Sequence, residues 1–337
     1  MKKSGFQARR RWAGLLAAIL VTLLFSGVSW AESVRFILNW VPDGQQAAWF
    51  SAKEKGFYKA AGLDVTIISG SGSAKAVKAV AGKAAEYGIA DMGEIIKGRA
   101  KGIPVKAVAV FLAKDLNVIY TLAGSGIKTP KDLEGRTIGA PVWSSLRTVF
   151  PLLAKVNQVN IAKVKWVAMP PSAMAPSLYA GKVDTIATFS SVDHNIVQGA
   201  AKIGKKIHRI VFADWGVNVY SLALNTLDER IQNNPGQVRR FIHASMKGLA
   251  WAAKNPDKAI DILLKSYPQA THKSERLKWQ TAYNSMLTET TLLHGLGSMT
   301  AAKMKFTRDA ILSGLGIKKN IPVKDLFTNE FLPKREM

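Results

Sequence analysis

The chain has 337 residues, 48% of them apolar, and a formal net charge of +24 at neutral pH. It contains no cysteine, which excludes disulfides, thiolate nucleophiles, cysteine-ligated zinc and a lipid-modified cysteine anchor. Length and apolar content describe a globular protein of one or two domains; its cations are dispersed, and the densest cluster past the N-terminus, Lys205, Lys206 and Arg209, lacks the aromatic platform of single-strand binders, so no specific nucleic-acid partner is expected.

Residues 1–31 read as a cleaved signal peptide. Five cations between Lys2 and Arg11 precede an apolar run over 12–25, and Ser29-Trp30-Ala31 places small residues where a signal peptidase reads them. The competing reading is an uncleaved anchor, since 12–30 nearly suffices to span a bilayer. Cleavage after Ala31 predicts an exported mature chain beginning at Glu32.

A buried strand is expected over 36–38, broken by Pro42, Asp43 and Gly44, because proline fixes φ and glycine tolerates what other residues do not. A helix over 46–57 and a β-branched strand over 65–68 complete one βαβ unit of a parallel sheet. The strand runs into the small-residue loop GSGSAK, then a helix over 74–85, a strand over 87–90 and a strand-to-helix junction at Asp91-Met92-Gly93-Glu94. In such sheets ligands bind beyond the carboxyl ends of strands, which directs attention to Asn39, Trp40 and the 69–73 loop. Further strands are expected over 104–111 and 117–122, the latter leaving the first lobe. A second α/β unit then runs from the strand 137–140 through a helix beginning near Ser144 to strands over 165–169 and 185–189. Ser144 and Ser145 are candidates both to cap that helix and to present hydroxyls and amides to a ligand. Pro170-Pro171 reads as a fixed turn, and 217–224 as the return crossing. Amphipathic helices from Pro235 onward are expected to pack on the first lobe.

LNWVPD, AKEKGFYKAAGLDV and YGIADMGEII, with KTPKDLEGRTIGAP and YAGKVDTIATF further on, resemble the periplasmic substrate-binding proteins of ABC importers, in the branch that includes sulfonate and thiamine-pyrimidine-precursor binders. The resemblance implies a type-II periplasmic binding protein fold: two α/β lobes joined by a two-strand hinge that bends around a ligand. The expected division is lobe 1 over 32–119 plus 221–337 and lobe 2 over 120–220. It further implies periplasmic location, a small-molecule ligand, an inner-membrane ABC permease as partner, a monomeric state and no cofactor.

Asn39 and Trp40 match the first-strand Asn-Trp of the pyrimidine-binding branch, where the ring stacks on a flat ligand; Trp40 is otherwise ordinary core. Gln46 stands where that branch commonly has histidine, and an amide hydrogen-bonds a heterocycle but cannot become cationic. Trp143, Trp215 and Tyr220 are further aromatic candidates, and Ser71, Asp91, Met92 and Asp193 are polar or soft ones. Several aromatics around few polar groups suit a small flat molecule; a small anion such as a sulfonate, nitrate or carboxylate is the alternative. Five scattered histidines without HExxH or GxSxG signal no metal site or nucleophile elbow. Asp193-His194 could be a catalytic pair, a ligand contact or a surface turn. The related fungal thiamine pyrimidine synthase uses a cysteine-rich iron segment that a cysteine-free chain cannot build, so a binder rather than an enzyme is expected; the alternatives of another class are a secreted enzyme related to that synthase and a sensor domain that binds but does not transport.

Overall fold

The computed structural model describes residues 31–334; the expected leader lies outside the described residues apart from Ala31. Among the described residues no helix is long and apolar enough to cross a membrane.

Ten strands form two mixed five-stranded sheets. They are β1 (Glu32–Ile37), β2 (Leu63–Ile68), β3 (Tyr87–Asp91), β4 (Val105–Val110), β5 (Asn117–Leu122), β6 (Thr137–Ala140), β7 (Lys165–Ala168), β8 (Thr185–Phe189), β9 (Ile207–Val211) and β10 (Leu222–Leu227). The first sheet has the order β2-β1-β3-β10-β4, with β1 and β3 parallel and β10 antiparallel to both its neighbours. The second has the order β7-β6-β8-β5-β9, with β5 antiparallel to β8 and β9. Every residue of β3 is buried, as a strand covered by helices on both faces requires. Two α/β lobes therefore stand as the sequence implies.

The first lobe's core is aromatic. The Phe241 ring stacks on Tyr87 at 3.9 Å between centroids and meets Phe36 edge-on at 5.3 Å, and Phe36 packs edge-on against Trp49. These side chains tie the helices Ala47–Glu54 and Pro235–Lys254 to the sheet, each buried ring contributing about 1.5–3 kcal/mol. A second cluster runs across both lobes: Ile95 and Ile96 from the helix Met92–Ala100, Val149 and Phe150 from Leu146–Val156, and Met304 and Ile311 from Ala301–Gly314.

Four expectations need correction. The helix over 46–57 is a 3-10 turn at Gly44–Gln46, then Ala47–Glu54, then a separate turn Phe57–Ala60 after Gly56. Pro171 opens the helix Pro171–Tyr179 rather than holding a turn, since proline at the first helical position loses no needed N–H. The crossings are not strands shared between lobes. β5 pairs wholly within the second sheet, so a division at 119/120 would cut it, while β10 starts at Leu222 and pairs wholly within the first. The two connectors meet where Ser221 N donates to Leu112 O at 3.1 Å and Phe111 N to Leu222 O at 2.7 Å. The C-terminal helices also do more than brace the first lobe. Ala301–Gly314 packs on both Met92–Ala100 and Leu146–Val156, because its apolar face completes the shared cluster.

Candidate functional site

Between the lobes lies a cleft lined by Asn39, Trp40, Asp43, Gln45, Gly72 and Ser73 on one side. Ser144, Ser145 and Leu146 face them, with Thr188, Phe189, Ser191 and Val192. About 30 Å³ of it is free cavity, and the roughly 430 Å³ of space between its atoms includes open solvent. The walls are strand ends: β1 delivers Asn39 and Trp40, β2 the 70–73 loop, β6 the serines and β8 Thr188 and Phe189.

Local hydrogen bonding explains the first wall. Trp40 O accepts from Gly70 N at 3.0 Å, so the ends of β1 and β2 are held together. Asp43 caps the 3-10 turn: its Oδ1 accepts from Gln45 N at 3.0 Å, and its own N–H donates to Gln46 Oε1 at 3.1 Å. Gln46 Nε2 donates to Asn39 Oδ1 at 3.3 Å. Gln46 is thus wholly buried and spans the loop from Asn39 to Asp43, a brace behind the wall rather than part of its surface.

Asp43 itself lines the cleft although only 8% exposed. Burial pushes its carboxyl up to about 6, against the nearby Lys278 ammonium, which lowers it, and Glu275, which raises it. Lys278 Nζ lies 3.9 Å from Asp43 Oδ2 but donates to Glu275 Oε1 at 2.7 Å, and Glu275 Oε2 accepts from Gly44 N at 2.5 Å. The neighbouring Gln45 is 2% exposed, and its Oε1 has no hydrogen-bond partner.

The second wall begins at the helix Leu146–Val156. Ser144 Oγ accepts from Leu146 N at 3.4 Å, so Ser144 supplies the capping contact while Ser145 carries none through its side chain. The lobes touch around the cleft. Gly72 approaches so closely that a Cβ there would lie 2.1 Å from Trp143 O, and Ala74 N donates to that same oxygen at 3.3 Å. Ser274 Oγ meets Asn195 Oδ1 at 2.6 Å on another side. The Thr148 hydroxyl, from the second lobe, donates to Glu94 Oε1 and accepts from Lys97 Nζ, both from the first.

Of the residues singled out in the sequence, the cleft brings together Asn39, Trp40, Ser144 and Ser145. The others stand elsewhere. Ser71 sits beside the lining residue Gly72 but outside the lining. Asp91 caps Met92–Ala100 through Gly93 N at 2.9 Å and accepts from Ser221 Oγ at 3.3 Å, beside the crossing. Burial, reinforced by the Asp115 charge, holds its carboxyl well above the usual range. Met92 is fully buried core. Trp143 is 41% exposed at the rim, with Lys78 Nζ 5.7 Å from its ring centroid. Asp193 pairs with the Arg209 guanidinium, Nη2 at 2.8 Å, instead of facing the cleft or a histidine. Trp215 packs on the shared apolar cluster, and buried Tyr220 accepts from Thr300 N at 3.0 Å.

Sequence reading missed Asp43, Gln45, Thr188, Phe189 and Ser191, and reached Ser73 as part of the 69–73 strand end. Thr188 and Phe189 close a strand already assigned, so the rule that located Asn39 and Trp40 would have found them. Asp43 and Gln45 were hidden because the Pro-Asp-Gly break reads as punctuation.

A family model described as NMT1/THI5 like matches residues 44–259. The chain is 25% identical over 246 residues to the formylaminopyrimidine-binding protein of Halalkalibacterium halodurans, covering 71% of this chain and 72% of that one. It is 24% identical over 314 residues to the riboflavin-binding protein RibY of Chloroflexus aurantiacus, covering 90% and 86%. It is also 24% identical over 271 residues to the 4-amino-5-hydroxymethyl-2-methylpyrimidine phosphate synthase THI13 of Saccharomyces cerevisiae, covering 75% and 76%. Among solved structures, the alkanesulfonate-binding protein SsuA of Xanthomonas axonopodis pv. citri superposes with a TM-score of 0.69 at 12% identity, over 88% of this chain and 98% of that one. At that identity the likeness establishes the periplasmic binding protein fold, and the matched model, spanning well over half of the sequence, establishes that the chain belongs to the NMT1/THI5-like family.

Proposed function

We propose that this protein is a periplasmic solute-binding protein that captures a small flat, heteroaromatic molecule between its lobes and delivers it to an inner-membrane ABC permease. One observation carries the reading: each lobe contributes an aromatic side chain, Trp40 and Phe189, to the same cleft. Aromatic rings lining a small pocket favour planar ligands through stacking and apolar burial. The family members named for pyrimidine and riboflavin binding, both flat nitrogen heterocycles, support it. Export by the 1–31 leader, action as a monomer, and lobe closure about the connectors near 111–116 and 216–221 belong to the same proposal.

A second reading has its own support, because members of the family are named as pyrimidine phosphate synthases. The two readings part on turnover. Native mass spectrometry of protein isolated from its own host identifies any retained molecule, and calorimetry followed by recovery of that molecule reads its fate. A binder returns it unchanged, and deletion of the gene abolishes its uptake. Conversion of the molecule, or uptake unaffected by deletion, would overturn the transport reading.

A further inference from the structure

The wall formed by Asp43 and Gln45 has a charge imbalance that the surrounding protein leaves uncompensated. Asp43, Glu275 and Lys278 are each at most 9% exposed, and they bring together two carboxylates and one ammonium. The ammonium is committed to Glu275 at 2.7 Å and stands 3.9 Å from Asp43. Glu275 has a further donor in Gly44 N, so both of its oxygens are engaged. The Asp43 carboxylate takes backbone N–H groups of the turn it caps, Gln45 N on Oδ1 and Gln46 N, but no charged donor within hydrogen-bond distance among the described residues. No lysine, arginine or histidine lines the cleft among the described residues. Arg147, from the facing helix, is turned away, donating to the Ala140 and Pro141 carbonyls. The neighbouring 190–192 segment brings only Ser190, Ser191 and Val192, and Asp193 behind it is occupied by Arg209. Beside Asp43, the Gln45 Oε1 is a buried acceptor with no donor.

A buried carboxylate without a full counter-charge is costly, and a buried acceptor without a donor adds to that cost. Both deficits are relieved by one kind of partner. We infer that the cleft selects a ligand presenting a positively charged or N–H-rich nitrogen group, of the amidine or protonated amino-heterocycle class, to the Asp43 carboxylate and Gln45 Oε1. The inference rests on the cleft being the ligand site, and it disfavours a sulfonate or carboxylate as cargo. The perturbation of Asp43 to about 6 fits this geometry. A cation at that position favours the ionised carboxylate, so binding below that pH releases the Asp43 proton to solvent.

Three planar probes of nearly equal shape separate the possibilities: benzamidine, benzamide and benzoate, titrated calorimetrically from pH 5 to pH 8. The expected order at pH 7 is benzamidine, then benzamide, then benzoate. Benzamidine affinity should be flat above pH 7 and fall towards tenfold per unit below about pH 6, with proton release read from the dependence of the heat on buffer. In Asp43→Asn, benzamidine should lose at least tenfold and its pH dependence, while benzamide changes little. Asp43→Ser serves as a second variant, with folding of each checked by circular dichroism. The pH profile of the unaltered protein stands without either. Benzoate binding tightest, a pH-independent preference for benzamidine, or no benzamidine binding at millimolar concentration would overturn the inference. A Trp40→Ala arm separates this from failure of the site itself. Loss of benzoate binding in that variant leaves the cleft as the site and removes only the charge preference. Probe binding indifferent to Trp40 removes the site reading as well.

Discussion

At Gly72 the two lobes meet backbone to backbone, and Gly72→Ala tests whether the cleft works by closing. A methyl group at that position would lie 2.1 Å from Trp143 O and 2.4 Å from Trp143 C, both backbone atoms, where real contacts rarely fall under 3.0 Å. No side-chain rotation relieves this, so the lobes must part by about 1 Å at the rim. The separation removes the Ala74 N to Trp143 O hydrogen bond, worth about 0.5–1.5 kcal/mol. Overpacking at a rigid contact adds about 1–3 kcal/mol. A penalty of about 2–3 kcal/mol on the closed state lowers its population, and apparent ligand affinity drops by roughly 30- to 150-fold. The backbone at this residue, φ +142°, is one that side-chain-bearing residues rarely adopt, so the substitution should also lower the melting temperature. The assay combines calorimetric titration of the host-retained molecule with X-ray scattering of free and saturated protein. The parent should contract on saturation and the variant should contract less. A variant that binds within twofold of the parent and contracts equally would refute closure at this contact.

Trp40→Ala should weaken binding of the retained ligand by about 1–3 kcal/mol, as for other stacked bases, whereas Trp143→Ala, at the rim, should cost under about 1 kcal/mol; the same titrations check both. Gly44→Ala would place a methyl 1.9 Å from the Glu275 carbonyl oxygen and force the helix His272–Met286 off the 43–46 loop. A loss of about 2 kcal/mol, or roughly 4–8 °C in melting temperature, is expected by calorimetric scanning. Asp115 accepts from Asn117 N and Nδ2 on one oxygen, leaves its other oxygen unpartnered, and is pushed up by burial to about 7 from 3.8. Its folded pKa exceeds its unfolded one, so its ionisation destabilises the fold progressively between pH 4 and 7 and fully above. Asp115→Asn should flatten the fall in melting temperature across that window, recovering part of the about 4 kcal/mol that such a shift corresponds to. A profile identical to the parent's would show that the carboxyl is not perturbed. N-terminal sequencing of the exported protein should begin at Glu32.

The architecture was legible because its signals are local. Period-two and continuous apolar runs mark β1, β3 and β8, and turn residues such as Gly56 and Gly62 punctuate them. The site was legible only where it follows strand ends, as at Asn39, Trp40, Ser144 and Ser145. Gln46, Asp91 and Tyr220 show the limit. Each has the chemistry of a ligand contact, and each is used internally, by a loop, a helix start and a crossing respectively. Local sequence does not reveal which of two hydrogen-bonding demands a buried polar group serves. The charge at Asp43 was beyond reach for a related reason: its counter-groups, Glu275 and Lys278, come from more than two hundred residues away. The same distance hid the bridging role of Ala301–Gly314, since an amphipathic pattern states that a face is apolar but not what covers it.

The placement of β10 between β3 and β4 fixes an order in which the molecule can be assembled. β4 pairs only with β10 within its sheet, and β10 follows the entire second lobe in the chain. A nascent chain that has reached residue 211 holds all five strands of the second sheet but lacks an interior strand of the first. The second lobe is thus a contiguous segment able to pair locally, whereas the first must keep β1 to β4 waiting across more than a hundred intervening residues. Long-range pairing of this kind is slow and leaves strand edges open meanwhile. The exposed species on the folding route is therefore the first lobe, with the edges of β3 and β4 unpaired until Leu222–Leu227 arrives to join them.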